Sequence, residues 1–176
     1  MTLVVVERSF ESPRDYAELL AKEGAAAFCM NTHRVKALHS FFALDRQHMV
    51  CVYEAPDAEA VRNTQRQVEL PVEHVWPATV VVERPLQMPP GYSLVIAQRA
   101  LPPGVTLEMI HEKLSASDGC NNRLRLQHHA AYLSHDCRRM CCVYYSPDVE
   151  SVRVSNRENG VPAERWWSGE RMTAPA

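Results

Sequence analysis

Long apolar runs are missing from this sequence. None reaches the ~18 residues that a membrane-crossing helix needs, so no membrane span is expected. The opening stretch MTLVVVERSF lacks the basic segment and the small-residue cleavage site of a secretory signal, which leads to the expectation of a cytoplasmic chain. An excess of positive charge is missing as well. Nineteen Lys and Arg stand against 21 Asp and Glu, for a formal net charge of -2. That leaves no basic footprint for nucleic acid and no polybasic run for a membrane surface. Nucleophile elbow, phosphate loop, metalloprotease helix, dinucleotide fingerprint and CxxC pair are all absent, so the commonest hydrolase, nucleotide and zinc-ribbon chemistries have no sequence support.

What is present is a globular composition, 46% hydrophobic and 23% charged over 176 residues, long enough to bury a sizeable core. Six cysteines without an export signal read as reduced thiols.

The chain repeats itself. A gap-free shift of 91 residues lays 3–81 over 94–172, and 22 of the 79 aligned positions are identical, against roughly five expected by chance. Met49, Cys51, Val52, Tyr53, Pro56, Asp57, Glu59, Val61 and Arg62 recur as Met140, Cys142, Val143, Tyr144, Pro147, Asp148, Glu150, Val152 and Arg153. Cys29, Asn31, Pro71 and Trp76 recur as Cys120, Asn122, Pro162 and Trp167. Residues 84–92, rich in proline, read as a stiff linker between a first module, 1–83, and a second, 93–176.

Each copy reads β-α-β-β-α-β. LVVVER is a strand of β-branched residues, and Ser12-Pro13 carries the hydroxyl and proline of a helix start. Arg34–Ala43 and His48–Glu54 read as strands joined by the turn 44–47. Asp57 caps a second helix, which Leu70-Pro71 ends, and Val72–Val82 is the last strand. This is the ferredoxin-like, split βαβ order. The fold class expected is therefore α+β, two tandem ferredoxin-like modules packed sheet to sheet as a pseudo-dimeric α+β barrel, with any pocket between the sheets.

The stretch LHSFFALDRQHMVCVYEAPDAEAVR, Leu38 to Arg62, followed by ELPVEHV, resembles the Domain of Unknown Function 4242 family. The resemblance rests on the His-Ser-aromatic triplet His39-Ser40-Phe41, the block Cys51 to Pro56 and the Leu-Pro after the second helix. It implies small ferredoxin-like proteins described as nickel-binding or nickel-responsive, and hence a transition metal, nickel among the candidates, as cofactor. The second copy keeps Cys142-Val143-Tyr144 and Val161-Pro162 but has Ala130-Ala131-Tyr132 at the triplet.

On a regular strand Ala37, His39 and Phe41 share a face. The repeat places Ala130 at the position of His39 and His128 at that of Ala37, so His39 and His128 are expected on the same face of equivalent strands, entering one cavity. Neutral imidazole suits nickel, zinc or copper, and this pair is the candidate metal site; the alternative is two hydrogen-bonded histidines in a polar pocket. Further donors are His129, His135 and Cys137. His129 joins His128 only if the strand bulges. The run from His135 to Cys142 has no zinc spacing, and its cysteines read as buried packing. Tyr53 recurs as Tyr144 and Arg8 as Arg99, the arginines at equivalent strand ends, either to anchor an anionic ligand or to pair with a neighbouring carboxylate.

The expected function is a metal-binding or metal-responsive protein without turnover. The alternatives are a small oxygenase- or isomerase-like enzyme of the dimeric α+β barrel type, by fold analogy only, and a metal-free module for a small molecule. A metal ion or small molecule is the expected partner, with no nucleic acid and no membrane, and the chain is expected to be a monomer or weak homodimer.

Overall fold

A computed structural model describes residues 1–85 and 87–173. Leu86 of the expected linker and residues 174–176 of the expected second module lie outside the described residues. The chain divides into two compact units, Met1–Ala78 with the end of the chain from Glu170, and Thr79–Gly169. Each is taken in turn.

The first unit opens with β1 (Thr2–Ser9), followed by α1 (Tyr16–Ala25) and a short α2 (Ala27–Thr32). The expected helix start at Ser12-Pro13 is displaced. Residues 10–14 are held against the following hairpin by Phe10 N–H to Gln47 carbonyl at 2.8 Å and Arg14 N–H to Arg46 carbonyl at 3.0 Å. The helix then begins where Asp15 accepts from the Ala17 amide at 2.8 Å. What reads as one helix is two, broken at Ala26 (φ -89°, ψ 2°). Strands β2 (Lys36–Ala43) and β3 (His48–Ala55) form the hairpin, α3 (Ala58–Val68) follows its Asp57 cap, and β4 (His74–Glu83) is last. β1 lies between β3 and β4, with Val5 opposite both Val52 and Trp76, and β2 pairs with β3, all antiparallel. The order β4-β1-β3-β2 is that of the split βαβ unit. Beneath the helices sit Val4, Val6, Leu19, Met49, Cys51, Tyr53 and Val61. Val5, Glu7, Phe41, Val50, Val52 and Trp76, from the opposite face, are buried too.

The second unit repeats the plan with β5 (Ser93–Ala100), α4 (Leu107–Ala116), α5 (Asp118–Arg123), β6 (Gln127–Ser134), β7 (Arg139–Ser146), α6 (Val149–Glu158) and β8 (Arg165–Thr173). β5 lies between β7 and β8, and β6 pairs with β7. Thr106 caps α4 and Asp148 caps α6, the latter accepting from Ser151 N–H at 2.7 Å. Its core contains Val95, Ala97, Ile110, Leu133, Met140, Cys142, Tyr144 and Val152.

One irregularity, shared by both copies, decides the faces. Ala37 stands opposite Tyr53, yet His39 stands opposite Val52, with Leu38 the extra residue of a β-bulge. The second copy does the same: His128 opposes Tyr144, Ala130 opposes Val143, and His129 is the extra residue. A bulge inserts one residue and so inverts the alternation of faces. The expectation that His39 and His128 share a face is thereby corrected. His128 keeps company with Tyr144 on the helix-covered face of its sheet, whereas His39 lies with Val52 on the face turned away from the helices of its own.

Candidate functional site

His39 is half-buried, its ring edge-on to Phe41 with centroids 5.3 Å apart. The row it belongs to runs through Val52 and Val5 to Trp76, which supplies no second donor. His128 is buried and stacks on Tyr144, centroids 4.4 Å apart. The bulge that a His128–His129 pair requires is present, but it does not unite them: His129 stacks on Tyr145, the next residue of β7, on the opposite face. His135 is exposed in the β6–β7 turn, and Cys137, half-buried with φ 53°, lies two residues further on. Among the described residues no three His, Cys, Asp or Glu side chains gather as a metal site.

All six cysteines are free thiols, with Cys51, Cys141 and Cys142 buried. Burial pushes the Cys51 thiol up to about 11. Cys142 and Cys141 oppose Ala131 and Tyr132 respectively and so take opposite faces of β7.

The recurring arginines prove to be the polar centres of both modules. Neither forms the expected ion pair at a sheet edge; both lie under helices and bond to carbonyl oxygens. Arg8, fully buried, donates through Nη1 to the Pro71 carbonyl at 3.0 Å and through Nη2 to Gln65 Oε1. Arg99, 3% exposed, donates to the Val161 carbonyl at 2.6 Å and to Asn156 Oδ1 at 3.0 Å. Beside Arg8 the Tyr53 hydroxyl donates to Glu23 Oε1 at 2.7 Å, so the first module carries a carboxylate at this centre. The second does not: the repeat puts Leu114 at the position of Glu23 and His128 at that of Ala37.

A cavity of about 260 Å³ opens at that place in the second module. Arg99, His128, Cys142, Tyr144 and Asn156 line its inner end, and Leu101, Val105, Ile110, Leu114 and Met140 its walls. Met109, 48% exposed, and Lys113 stand among its lining residues on α4. No Asp or Glu is among the described residues that line it. Two polar atoms at the inner end, Arg99 Nε and His128 Nε2, are buried without a hydrogen-bond partner. Burial, aided by the charges of Arg99 and Arg84 and by His129, pushes His128 down from 6.5 to about 3. Burial likewise raises the Tyr144 hydroxyl above its ordinary value.

Arg99, Tyr144 and His128 were singled out by the sequence; Asn156, Asn121 and Ser155 were not. Their signal lay in the repeat: Gln65, Met30 and Thr64 of the first copy are their counterparts. On α6 the spacing Val152, Ser155, Asn156, Asn159 puts a polar stripe where an apolar one is usual.

The family model described as nickel responsive protein SCO4226-like matches this chain twice, over residues 5–77 and 96–168. No curated protein matches. Among solved structures, an anthrone oxidase-like protein is similar over 99% of this chain and 94% of its own, with 10% identity and a TM-score of 0.53. A mutant chlorite dismutase from Candidatus Nitrospira defluvii in complex with cyanide is similar over 98% and 91%, with 9% identity and a TM-score of 0.51. A putative monooxygenase from Lactobacillus acidophilus NCFM is similar over 100% and 98%, with 8% identity and a TM-score of 0.50. At these identities the likeness is one of fold.

Proposed function

This chain belongs to the nickel-responsive family whose model it matches twice, and from that premise we propose that it is a non-catalytic, cytoplasmic metal-responsive protein that meets the metal through His39 of its first module. The observation that carries this reading is the inequality of the two histidines. His39 is half-buried within the His-Ser-aromatic triplet, while His128 is enclosed beside the Arg99 guanidinium, which repels a cation. A closed, resident site needs three or four protein donors, and the described residues do not gather them. One imidazole supports exchangeable binding, suited to response rather than storage. Six free thiols accord with a reducing compartment.

Acid–base turnover at the cavity of the second module is disfavoured. With His128 held near 3 and the Tyr144 hydroxyl raised, neither group changes protonation near neutral pH, where a general acid or base must work.

A calorimetric titration with nickel tests the metal reading. The parent should bind weakly and release the ion on dialysis. His39→Ala should reduce affinity at least about tenfold, and His128→Ala should change it less than about twofold. Unchanged affinity in His39→Ala, or metal that survives dialysis, contradicts the assignment.

A further inference from the structure

The two copies of the repeat solve the problem of a buried guanidinium differently. A cation taken out of water is costly unless an opposite charge stands near it. In the first module Glu23 provides that charge, held through the Tyr53 hydroxyl at 2.7 Å, and it is one of the groups whose charge acts on Arg8. The cavity of the first module that Glu23 and Ala37 line does not include Arg8 or Tyr53 among its lining residues. In the second module Arg, Tyr and the amide partner are retained as Arg99, Tyr144 and Asn156, but Leu114 replaces the carboxylate. The volume is open, and no described acidic residue lines it.

We propose that the cavity under the helices of the second module is a binding site for a small organic carboxylate, anchored on Arg99 where the first module uses its own Glu23. This site is independent of the metal reading for His39. The carboxylate takes a charge-assisted bond from Arg99, which lines the cavity and whose hydrogen bonds to the Val161 carbonyl and Asn156 Oδ1 leave guanidinium N–H groups unspent. Tyr144 stands for Tyr53 as the second donor. Lys113, whose Nζ donates to the Asn159 carbonyl at 3.2 Å, adds positive charge among the lining residues. No described acid lines the cavity.

The walls and the volume set the rest of the ligand. Leu101, Val105, Ile110, Leu114 and Met140 favour a hydrocarbon body. A cavity of roughly 150 Å³ with such walls accepts benzene, so about 260 Å³ takes a ring or short chain together with its carboxylate. Nucleotides and other large phosphorylated ligands are too big.

Titration of the full chain with benzoate and hexanoate, followed calorimetrically and by ligand-observed NMR, tests the proposal. Either acid should bind saturably, and benzamide, the neutral analogue, should bind at least about tenfold more weakly, the loss expected when a charged anchor is removed. Arg99→Gln should abolish carboxylate binding. Because a buried arginine also supports the fold, the decisive variant is Leu114→Glu, which restores in the second module the carboxylate of the first. It should remain folded and lose benzoate binding. The proposal is overturned if benzamide equals benzoate, if inorganic phosphate binds in preference to both, if Leu114→Glu binds as the parent does, or if no acid binds below about 10 mM.

Discussion

His128 and its surroundings give the sharpest residue-scale consequence. The ring is 7% exposed, and burial together with the charges of Arg99, Arg84 and His129 acts on it, so the native state refuses a proton that the unfolded chain accepts below about pH 6.5. Its folded value, about 3, is depressed, and the unfolded state therefore binds more protons across the window between the two. Stability rises with pH there and falls on acidification. The slope from this group is at most about 1.4 kcal/mol per pH unit. Urea unfolding at pH 7 and pH 5 should show His128→Gln losing less stability on acidification than the parent, by about 2 kcal/mol. Equal losses in the two proteins would refute the assignment. Thiol labelling reads the same burial in another way. Cys29, Cys120 and Cys137 are half-buried and should react in the native protein, with Cys137 in its turn first, while Cys51, Cys141 and Cys142 should react only after unfolding. Native reactivity of Cys51, whose thiol burial holds up to about 11, would contradict the packing described.

At the scale of elements, the two copies test each other at the ends of α3 and α6. Both chains leave the helix through a left-handed residue, Glu69 at φ 55° and its counterpart Gly160 at φ 63°. Glycine takes this conformation freely and glutamate does not. An added Cβ at Gly160 would meet nothing nearer than Lys113 Nζ at 3.9 Å, so any cost there is one of backbone conformation alone. Gly160→Ala should destabilise by about 1 kcal/mol, and Glu69→Gly should stabilise by a few tenths to about 1 kcal/mol. Denaturant midpoints at constant slope would check both; a neutral Gly160→Ala would remove the conformational argument. Most elements were legible at this scale because their signals are local: the β-branched run of β1, the Asp57 and Asp148 caps, and the hairpin turns. The start of α1 was misplaced because tertiary hydrogen bonds from Phe10 and Arg14 to the hairpin hold the Ser12-Pro13 segment out of the helix. The bulges at Leu38 and His129 left no mark in the composition of β2 and β6. One inserted residue there was enough to reverse the faces of His39 and His128, and with them the candidate metal pair.

For the whole molecule, the duplication has produced two modules of one fold and two chemistries. The chain should bind one carboxylate, not two, since only the second module lacks the internal acid at its buried arginine. Transplanting that difference, by Glu23→Leu with Ala37→His in the first module, should create a second site, read as a calorimetric stoichiometry rising from one toward two. A stoichiometry of two in the parent, or of one in a folded double variant, would show that the Glu23–Leu114 difference does not govern binding.

The sequence alone determined the repeat, the β-α-β-β-α-β order, the family resemblance and the recurring Arg, Tyr and Cys positions. These rest on identity at fixed spacing and on local propensity, both of which are written along the chain. Only the tertiary structure decided which histidine faces the helices, that Arg8 and Arg99 are buried against carbonyl oxygens instead of pairing at an edge, and that a cavity stands where Leu114 replaces Glu23. Those outcomes depend on strand register and on volume left over between packed elements. Both are set by groups distant in sequence, and neither has a local signature.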